Sequence, residues 1–259
     1  MTNKVKVAGC FTRSATSYDK AAAFQRRVGE QLLDDLVAIN IEAKRCLDLG
    51  CGTGYFHERL QEALGVGDYL GIDIAQGMLS FCRQRHSLTQ LICADAEQLP
   101  LMENCQVFIY SNLALQWCEN LTQLLSELNR VLQPGGILAF TTLGPQTLHE
   151  LRQAWQSVDN LMHVNRFIPQ GDWEAAIAKQ NFHIVSQRKN IEVLYYPVMA
   201  NILKELKNLG ANHVKEGRRK TLTGRGHWQK LQQGYESFRR GDDYPASYEV
   251  YSWILRKGV

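Results

Sequence analysis

The segment Asp48-Leu-Gly50-Cys-Gly52-Thr-Gly54 carries the sharpest chemical content of the chain. Glycines open backbone conformations closed to other residues and let a ligand approach the main chain. The G-x-G-x-G spacing differs from the G-x-G-x-x-G of dinucleotide binding. No Lys-Ser/Thr follows it, which excludes a P-loop. Two acidic positions lie downstream. Asp73 stands 19 residues after Gly54, where a carboxylate can accept from both hydroxyls of a ribose. Asp95-Ala96-Glu97 comes next, where a carboxylate can accept from an adenine amino group. The plainer reading of the same residues is a tight turn that only packs a helix onto a strand.

These residues need elements to hold them in register. Short apolar runs at 45–49, 69–73, 90–94, 106–110 and 137–142 read as strands. Between them, 55–64, 76–85 and 121–132 read as helices, and Pro134-Gly135-Gly136 reads as a turn. Strands alternating with helices imply an α/β fold, a mostly parallel sheet covered by helices on both faces. Ahead of it, Ala21, Phe24, Val28, Leu32, Leu36 and Ile39 recur at helical spacing, which predicts one helix over 18–39. Beyond it, 146–158 and 173–179 read as helices around a loop at 160–170, and 182–195 and 244–257 read as strands, seven in all. The spacing places two helices and a basic loop at 197–241, an insertion before the last strand that forms part of a lid. The expected organisation is one domain over 1–259: a helical cap at 1–40, a ligand-binding core at 41–145 and the insertion at 197–241.

The 259 residues are 45% apolar and 21% charged, ordinary globular usage that argues against global disorder. No apolar run approaches the roughly 20 residues of a membrane span. The first thirty residues lack the apolar stretch of a secretory signal. Seven scattered cysteines without a C-x-x-C pair disfavour a disulfide framework or a metal site and fit a reducing cytoplasm. The charge is uneven. Residues 179–240 hold thirteen Lys and Arg against four Glu and no Asp, a net of +9, while the rest of the chain is at −6. Such asymmetry suits an anionic partner, whether nucleic acid, membrane surface or acidic protein, or else a solvated helical face.

The glycine segment with its two acids resembles the class I S-adenosylmethionine methyltransferases over roughly residues 40–145. In that comparison Asp48, Gly50, Gly52 and Gly54 fall on the first motif and Asp73 on the ribose-binding acid. Asp95 and Ala96 fall on the adenine turn. Asn112 and Leu113 lie where that family lines the methionine end of the cofactor. The turn 132–137 matches as well. The resemblance implies a Rossmann-like seven-stranded sheet and S-adenosylmethionine as cofactor. A wider resemblance runs over essentially the whole chain. It rests on Ser14-Ala-Thr-Ser-Tyr18-Asp-Lys-Ala-Ala-Ala-Phe24-Gln25, Leu115-Gln-Trp117, Gly144-Pro-Gln-Thr-Leu148, Val164-Asn-Arg-Phe167, Leu206-Lys-Asn-Leu-Gly-Ala-Asn-His213, Leu222-Thr-Gly-Arg225 and Tyr248-Glu-Val-Tyr251. These are similar to the malonyl-acyl-carrier-protein O-methyltransferases of biotin synthesis, the BioC family. That similarity implies methylation of the free carboxylate of a malonyl group on acyl carrier protein, with neither nucleic acid nor membrane as partner.

The residues are compatible with this implication. Acyl carrier protein is acidic, and a basic insertion would steer it. Lys204, Lys207, Arg218, Arg219, Lys220 and Arg225 are candidate contacts by charge and loop position. A carboxylate is already ionised near neutral pH, so no general base is required, and none is evident. Tyr18, His163 and Arg166 are candidates to hydrogen-bond the acceptor, with Tyr18 standing in front of a helix able to fold over the cofactor. Trp117 and Phe24 could wall the pocket, although aromatics at such places more often serve the core. Cys51 reads as a small apolar filler. Ser111-Asn-Leu-Ala-Leu-Gln-Trp117 lacks the Asn/Asp-Pro-Pro-aromatic motif of amino-group methylation, and no Cys pair suggests C5-pyrimidine chemistry. Three alternatives stay open at this point. One is a methyltransferase for another small carboxylate or quinone precursor. Another is an RNA methyltransferase using Trp228, Tyr235 and Phe238. The third is a cofactor-binding protein without turnover.

Overall fold

The central strands form because their apolar residues are buried on both faces of one sheet, whereas the edge strand Phe182–Tyr196 leaves Ile184, Val185 and Ile191 exposed. In β1 (Arg45–Leu49), every residue after Arg45 is buried. The others are β2 (Asp68–Asp73), β3 (Leu91–Cys93), β4 (Gln106–Asn112), β5 (Leu132–Leu143), β6 (Phe182–Tyr196) and β7 (Tyr244–Lys257). The computed structural model describes residues 3–211 and 224–259. The sheet order is β3-β2-β1-β4-β5-β7-β6. β1 to β5 run parallel, and β7 enters antiparallel between β5 and β6.

Side chains that alternate along each strand bury against different helices. Before β1 come α1 (Asn3–Ala21) and α2 (Ala23–Ala38); α3 (Phe56–Leu64) and α4 (Gln76–His86) follow β1 and β2. α5 (Leu121–Val131), α6 (His149–Gln156) and α7 (Gln170–Ala178) come next, and α8 (Met199–Asn208) and α9 (Arg225–Glu236) lie between β6 and β7. On one face Leu124, Leu128, Trp173 and Ile177 of α5 and α7 pack on Leu47, Ile109 and Phe140. On the other, Leu32, Leu36, Phe56 and Leu60 of α2 and α3 pack on Cys46, Phe108 and Ala139. A third cluster joins α2, α6, α8 and α9 to β7 through Phe24, Leu151, Ile202, Leu231 and Tyr248.

The register brings the chemistry to one edge. Leu49 of β1 lies level with Ile72 of β2, and Asp73 lies level with Cys93 of β3. Asp48 lies level with Tyr110 of β4. Residues 50–54, 73–75, 94–97 and 112–115 therefore leave the sheet together at the carboxyl ends of parallel strands, where open α/β sheets bind ligands.

The fold departs from the expected elements in three places. The helix expected over 18–39 is two helices that part at Ala22, with Arg26 Nη1 donating to the Asp19 carbonyl at 2.5 Å across the break. α1 falls within the helical cap expected at 1–40, although its own helical period is not legible ahead of residue 18. Its buried stripe is Val7, Cys10, Ser14 and Ala15, small or weakly apolar residues that leave little hydrophobic period. The turn at 134–136 is a bulge inside β5, between the pairs Gln106–Leu132 and Phe108–Ile137, with Gly135 at φ +77°. The two helices expected in 197–241 are present as α8 and α9.

Candidate active site

The glycine loop is stitched to the next strand. Gly50 and Cys51 donate to the Ile72 carbonyl at 2.7 and 3.1 Å, and Gly52 N–H donates to Asp73 Oδ2 at 3.0 Å. Gly50 adopts φ +76°, and a Cβ there would sit 2.2 Å from Ala114 Cβ, so only glycine fits. At Gly52 an added Cβ would meet no protein atom within 4 Å. The bare backbone there faces open space.

That space is a cavity whose walls include Gly50, Gly52, Asp73, Asp95, Ala96, Asn112 and Leu113. Asp73 takes Gly52 N–H on one oxygen and Ala75 N–H, at 2.7 Å, on the other. A carboxylate has about four acceptor positions, so these contacts leave acceptor capacity for a ligand. A vicinal diol fits this donor and acceptor set, and the site can hold a nucleoside. α1 roofs the cavity, a feature missed in the sequence. Its Lys4 reaches both Asp95 and Glu97 at 2.6 Å, while Val7 and Phe11 add apolar wall. Burial disfavours the Lys4 charge, but the two carboxylates outweigh it and raise its pKa. Further along α1, Asp19 accepts from Thr53 Oγ1 of the glycine loop and pairs with Arg85 of α4, both at 2.6 Å.

Two residues expected at the cofactor stand outside that cavity. Asp48 is 3% exposed and accepts the Tyr69 hydroxyl at 2.7 Å. The pleat turns it to the opposite face from Leu49, which lines the cavity. Burial pushes its carboxyl up to about 7, against the Tyr69 hydrogen bond and with help from Asp73. Asp48 instead lines a smaller void with Asp19, Gln25, Arg26, Thr53 and Asn112. Gly54 serves packing, since a Cβ there would lie 2.5 Å from Cys82 Sγ of α4.

A second, larger cavity shares Phe11, Tyr18, Leu113 and Trp117 with the first. Its walls are mostly apolar and come from α1, α2, α6, α8 and β7, with Phe24, Leu148, Trp155, Leu206 and Tyr248 among them. Tyr18 borders both cavities and the smaller void. Burial, with Asp73 and Asp19 nearby, raises its phenol well above the ordinary value, so the group is a neutral donor. Leu113, at φ +48°, is held there by Thr141, whose carbonyl and Oγ1 accept its N–H at 3.2 and 2.9 Å. Such backbone is uncommon for a residue with a side chain and clusters at functional sites.

The remaining expected site residues divide. His163 lines the second cavity, stacked on Trp155 at 3.7 Å and paired with Asp159 at 2.8 Å through Nε2. Arg166 is exposed and lines none of the three cavities: Val164 and Asn165 take the buried positions of this loop. Lys204 and Lys207 stand exposed on α8, and Lys207 also borders the second cavity. Arg225 is exposed at the start of α9, whereas Arg218, Arg219 and Lys220 lie outside the described residues. Tyr235 is fully buried and donates to the Pro245 carbonyl, which removes it as a base-stacking platform. Cys51 is buried and free, as a filler should be.

Comparison with known proteins agrees with this geometry. Residues 47–140 match the model of a methyltransferase domain family. The chain is 43% identical over 98% of its length to the biotin biosynthesis bifunctional protein BioHC of Cellvibrio japonicus, of which it spans about half (50%). It is 39% identical to malonyl-acyl-carrier-protein O-methyltransferase of Serratia marcescens, covering 98% of this chain and 97% of that one. Among solved structures, an S-adenosylmethionine-dependent methyltransferase from Mesorhizobium loti shares the fold. Its TM-score is 0.52 and its identity 18%, over 87% of this chain and all of that one (100%). The chain is thus an S-adenosylmethionine-dependent methyltransferase, and it belongs to the malonyl-acyl-carrier-protein O-methyltransferase family.

Proposed function

We propose that this chain esterifies the free carboxylate of a malonyl group on acyl carrier protein, within biotin synthesis. The observation that carries the reading is the pair of adjoining cavities: a nucleoside-type site shares Phe11, Tyr18, Leu113 and Trp117 with a large, mostly apolar chamber, one wall of which is α8 with its exposed Lys204 and Lys207. Asp73 would take the ribose hydroxyls, and Asp95 with Ala96 the adenine. Gly50, Gly52, Asn112 and Leu113 would line the rest. Asp19, Asp48 and Arg26 in the small void suit the ammonium and carboxylate of an amino-acid tail. When bound, S-adenosylmethionine supplies an electrophilic methyl group on a cationic sulfur.

The chain's own residues do the rest by position. An acceptor carboxylate is anionic near pH 7 and needs no proton removed. Its placement within about 3 Å of its target, in line, can supply several kcal/mol. Tyr18 is placed to donate to it as a neutral phenol, and Trp117 and Phe11, edge to face at 5.4 Å, exclude water at the junction. His163, fixed between Trp155 and Asp159, is placed further along the chamber wall. Lys204, Lys207 and Arg225 would meet the acidic carrier, and Leu203, Leu206 and Leu209 of the insertion would cover the acyl arm. The free cysteines support a reducing compartment. No helix among the described residues is long and apolar enough to cross a membrane.

The test is transfer of labelled methyl from S-adenosylmethionine, offering malonyl-carrier protein, malonyl-coenzyme A and bulk RNA in parallel. Label on the malonyl carrier that mild alkali releases is the expected result. Label on RNA, or on none of them despite cofactor binding, overturns the reading.

A further inference from the structure

The adenine end of the cofactor cavity is finished by a residue from the far end of the chain. Lys4, Val7, Phe11 and Tyr18 all line that cavity, and steps of three, four and seven residues put them on one face of α1. The helix therefore lies along the site, with Lys4 in its first turn beside the turn 95–97. Lys4 Nζ donates to Asp95 Oδ2 and to Glu97 Oε2, each at 2.6 Å. Asp95 Oδ1 accepts the Glu97 N–H at 3.0 Å, a bond within its own turn.

The two carboxylates are held unequally. Glu97 is 6% exposed, and its Oε1 accepts the N–H groups of Glu119 and Asn120 just ahead of α5. Asp95 is 33% exposed and has Lys4 as its partner from outside the turn. Two carboxylates that share one ammonium repel each other once it is gone. Glu97 is anchored by its backbone partners, so Asp95 is the one that would turn toward solvent. Asp95 lines the cavity and is the acid assigned above to the adenine amino group. A hydrogen bond to a charged acceptor is among the stronger ones, and it depends on the acceptor standing in line with its donor.

We propose that Lys4 is a positioning residue for the base of the cofactor: from α1 it holds the Asp95 carboxylate in the orientation that accepts from the adenine amino group. The proposal rests on the reading of Asp95 as the adenine acceptor. Its test is a cycle between the residue and that amino group. Calorimetry compares S-adenosylhomocysteine with its analogue carrying hydrogen in place of the 6-amino group, on wild type, Lys4→Met and Lys4→Arg. Wild type should bind the amino ligand about thirtyfold more tightly. Lys4→Met should reduce that ratio to about threefold, whereas Lys4→Arg, whose fork can serve two carboxylates, should keep most of it. A helix that merely packs over the cavity would weaken both ligands equally and leave the ratio unchanged. Lys4→Gln also removes the charge; it should give the same low ratio and keeps the test open if Lys4→Met does not fold. A ratio in these two variants equal to or above that of wild type overturns the inference, as does a Lys4→Arg ratio as low as theirs, and in both cases the methyltransferase reading stands. A wild-type ratio near one takes the adenine role from Asp95, and the inference fails with it.

Discussion

The two cavities are built in opposite ways. The cofactor cavity takes its polar walls from loops that leave neighbouring strands at one sheet edge: 50–52, 73–74, 94–96 and 112–115. Each loop is short and follows its strand directly, so backbone N–H groups and carboxylates are fixed by the register. The acceptor chamber takes its walls from 11–25, 113–117, 143–167, 203–211 and Tyr248, most of them helices outside the parallel core. Its walls are chiefly side chains, and packing between helices sets their positions. The first design places hydrogen-bonding groups rigidly. The second surrounds a large space with apolar side chains whose positions depend on how the helices pack.

The largest effect expected from this contrast concerns a group buried beneath the rigid half. A carboxyl with an ordinary pKa of 3.8 that is held at about 7 in the fold costs about 4 kcal/mol once it is ionised. The native state binds the Asp48 proton more tightly than the unfolded chain. Stability linked to Asp48 is therefore complete below about pH 4, is lost as pH rises through about 7, and is level above that. Asp48→Asn can still accept the Tyr69 hydroxyl through its amide oxygen. Without added cofactor, it should unfold at higher denaturant than wild type at pH 8 and lose this slope between pH 4 and 7. An unchanged slope in urea titrations would place the titrating group elsewhere.

Asp73 is next. It accepts from the glycine loop and from Ala75 and still faces the cavity, so Asp73→Ala removes a ligand contact and loosens the loop together. S-adenosylmethionine affinity should drop more than about a hundredfold in calorimetry, with the circular dichroism spectrum unchanged. Affinity within about threefold of wild type would take the ribose role from this residue. On the border between the cavities the effect should be smaller and split differently. Tyr18→Phe keeps the ring against Phe11 but loses the hydroxyl. It should bind the cofactor normally and methylate about tenfold more slowly. Full activity would leave Tyr18 as wall only.

The same contrast explains what could be read from the residues alone. The strands of the core, their order of appearance and the loops at their ends carry local signals: apolar runs, glycine spacing and acids that follow a strand. Asp73, Asp95, Ala96, Asn112 and Leu113 all border the cavity on that basis. Asp48 and Gly54 share the same motif yet turn away, because the pleat inverts one side chain and helix packing claims the other. α1 lies in the expected helical cap, but its bounds are not legible because it buries Cys10, Ser14 and Ala15, whose hydrophobic period is faint. Lys4 belongs to no motif, and only the fold brings it to Asp95, 91 residues away. Arg166 shows the reverse error, a cation chosen for its chemistry in a loop that points it outward.

The smallest expected effect lies at the outer wall of the adaptable half. Lys204 and Lys207 are exposed on α8, beside the leucines that cover the chamber, and neither makes an ion pair among the described residues. Exposed charges at a rim act mainly on encounter rather than on the bound complex, and salt screens them over about 10 Å. The double substitution Lys204→Glu with Lys207→Glu should raise the KM for malonyl-carrier protein about fivefold at low ionic strength, with kcat nearly unchanged. The difference should shrink toward nothing at about 0.5 M salt. Malonyl-coenzyme A, which lacks the acidic protein, should respond less at every salt concentration. Equal shifts for both thioesters would mean that α8 contacts the arm they share, and the basic face would then belong to the chamber itself rather than to protein docking.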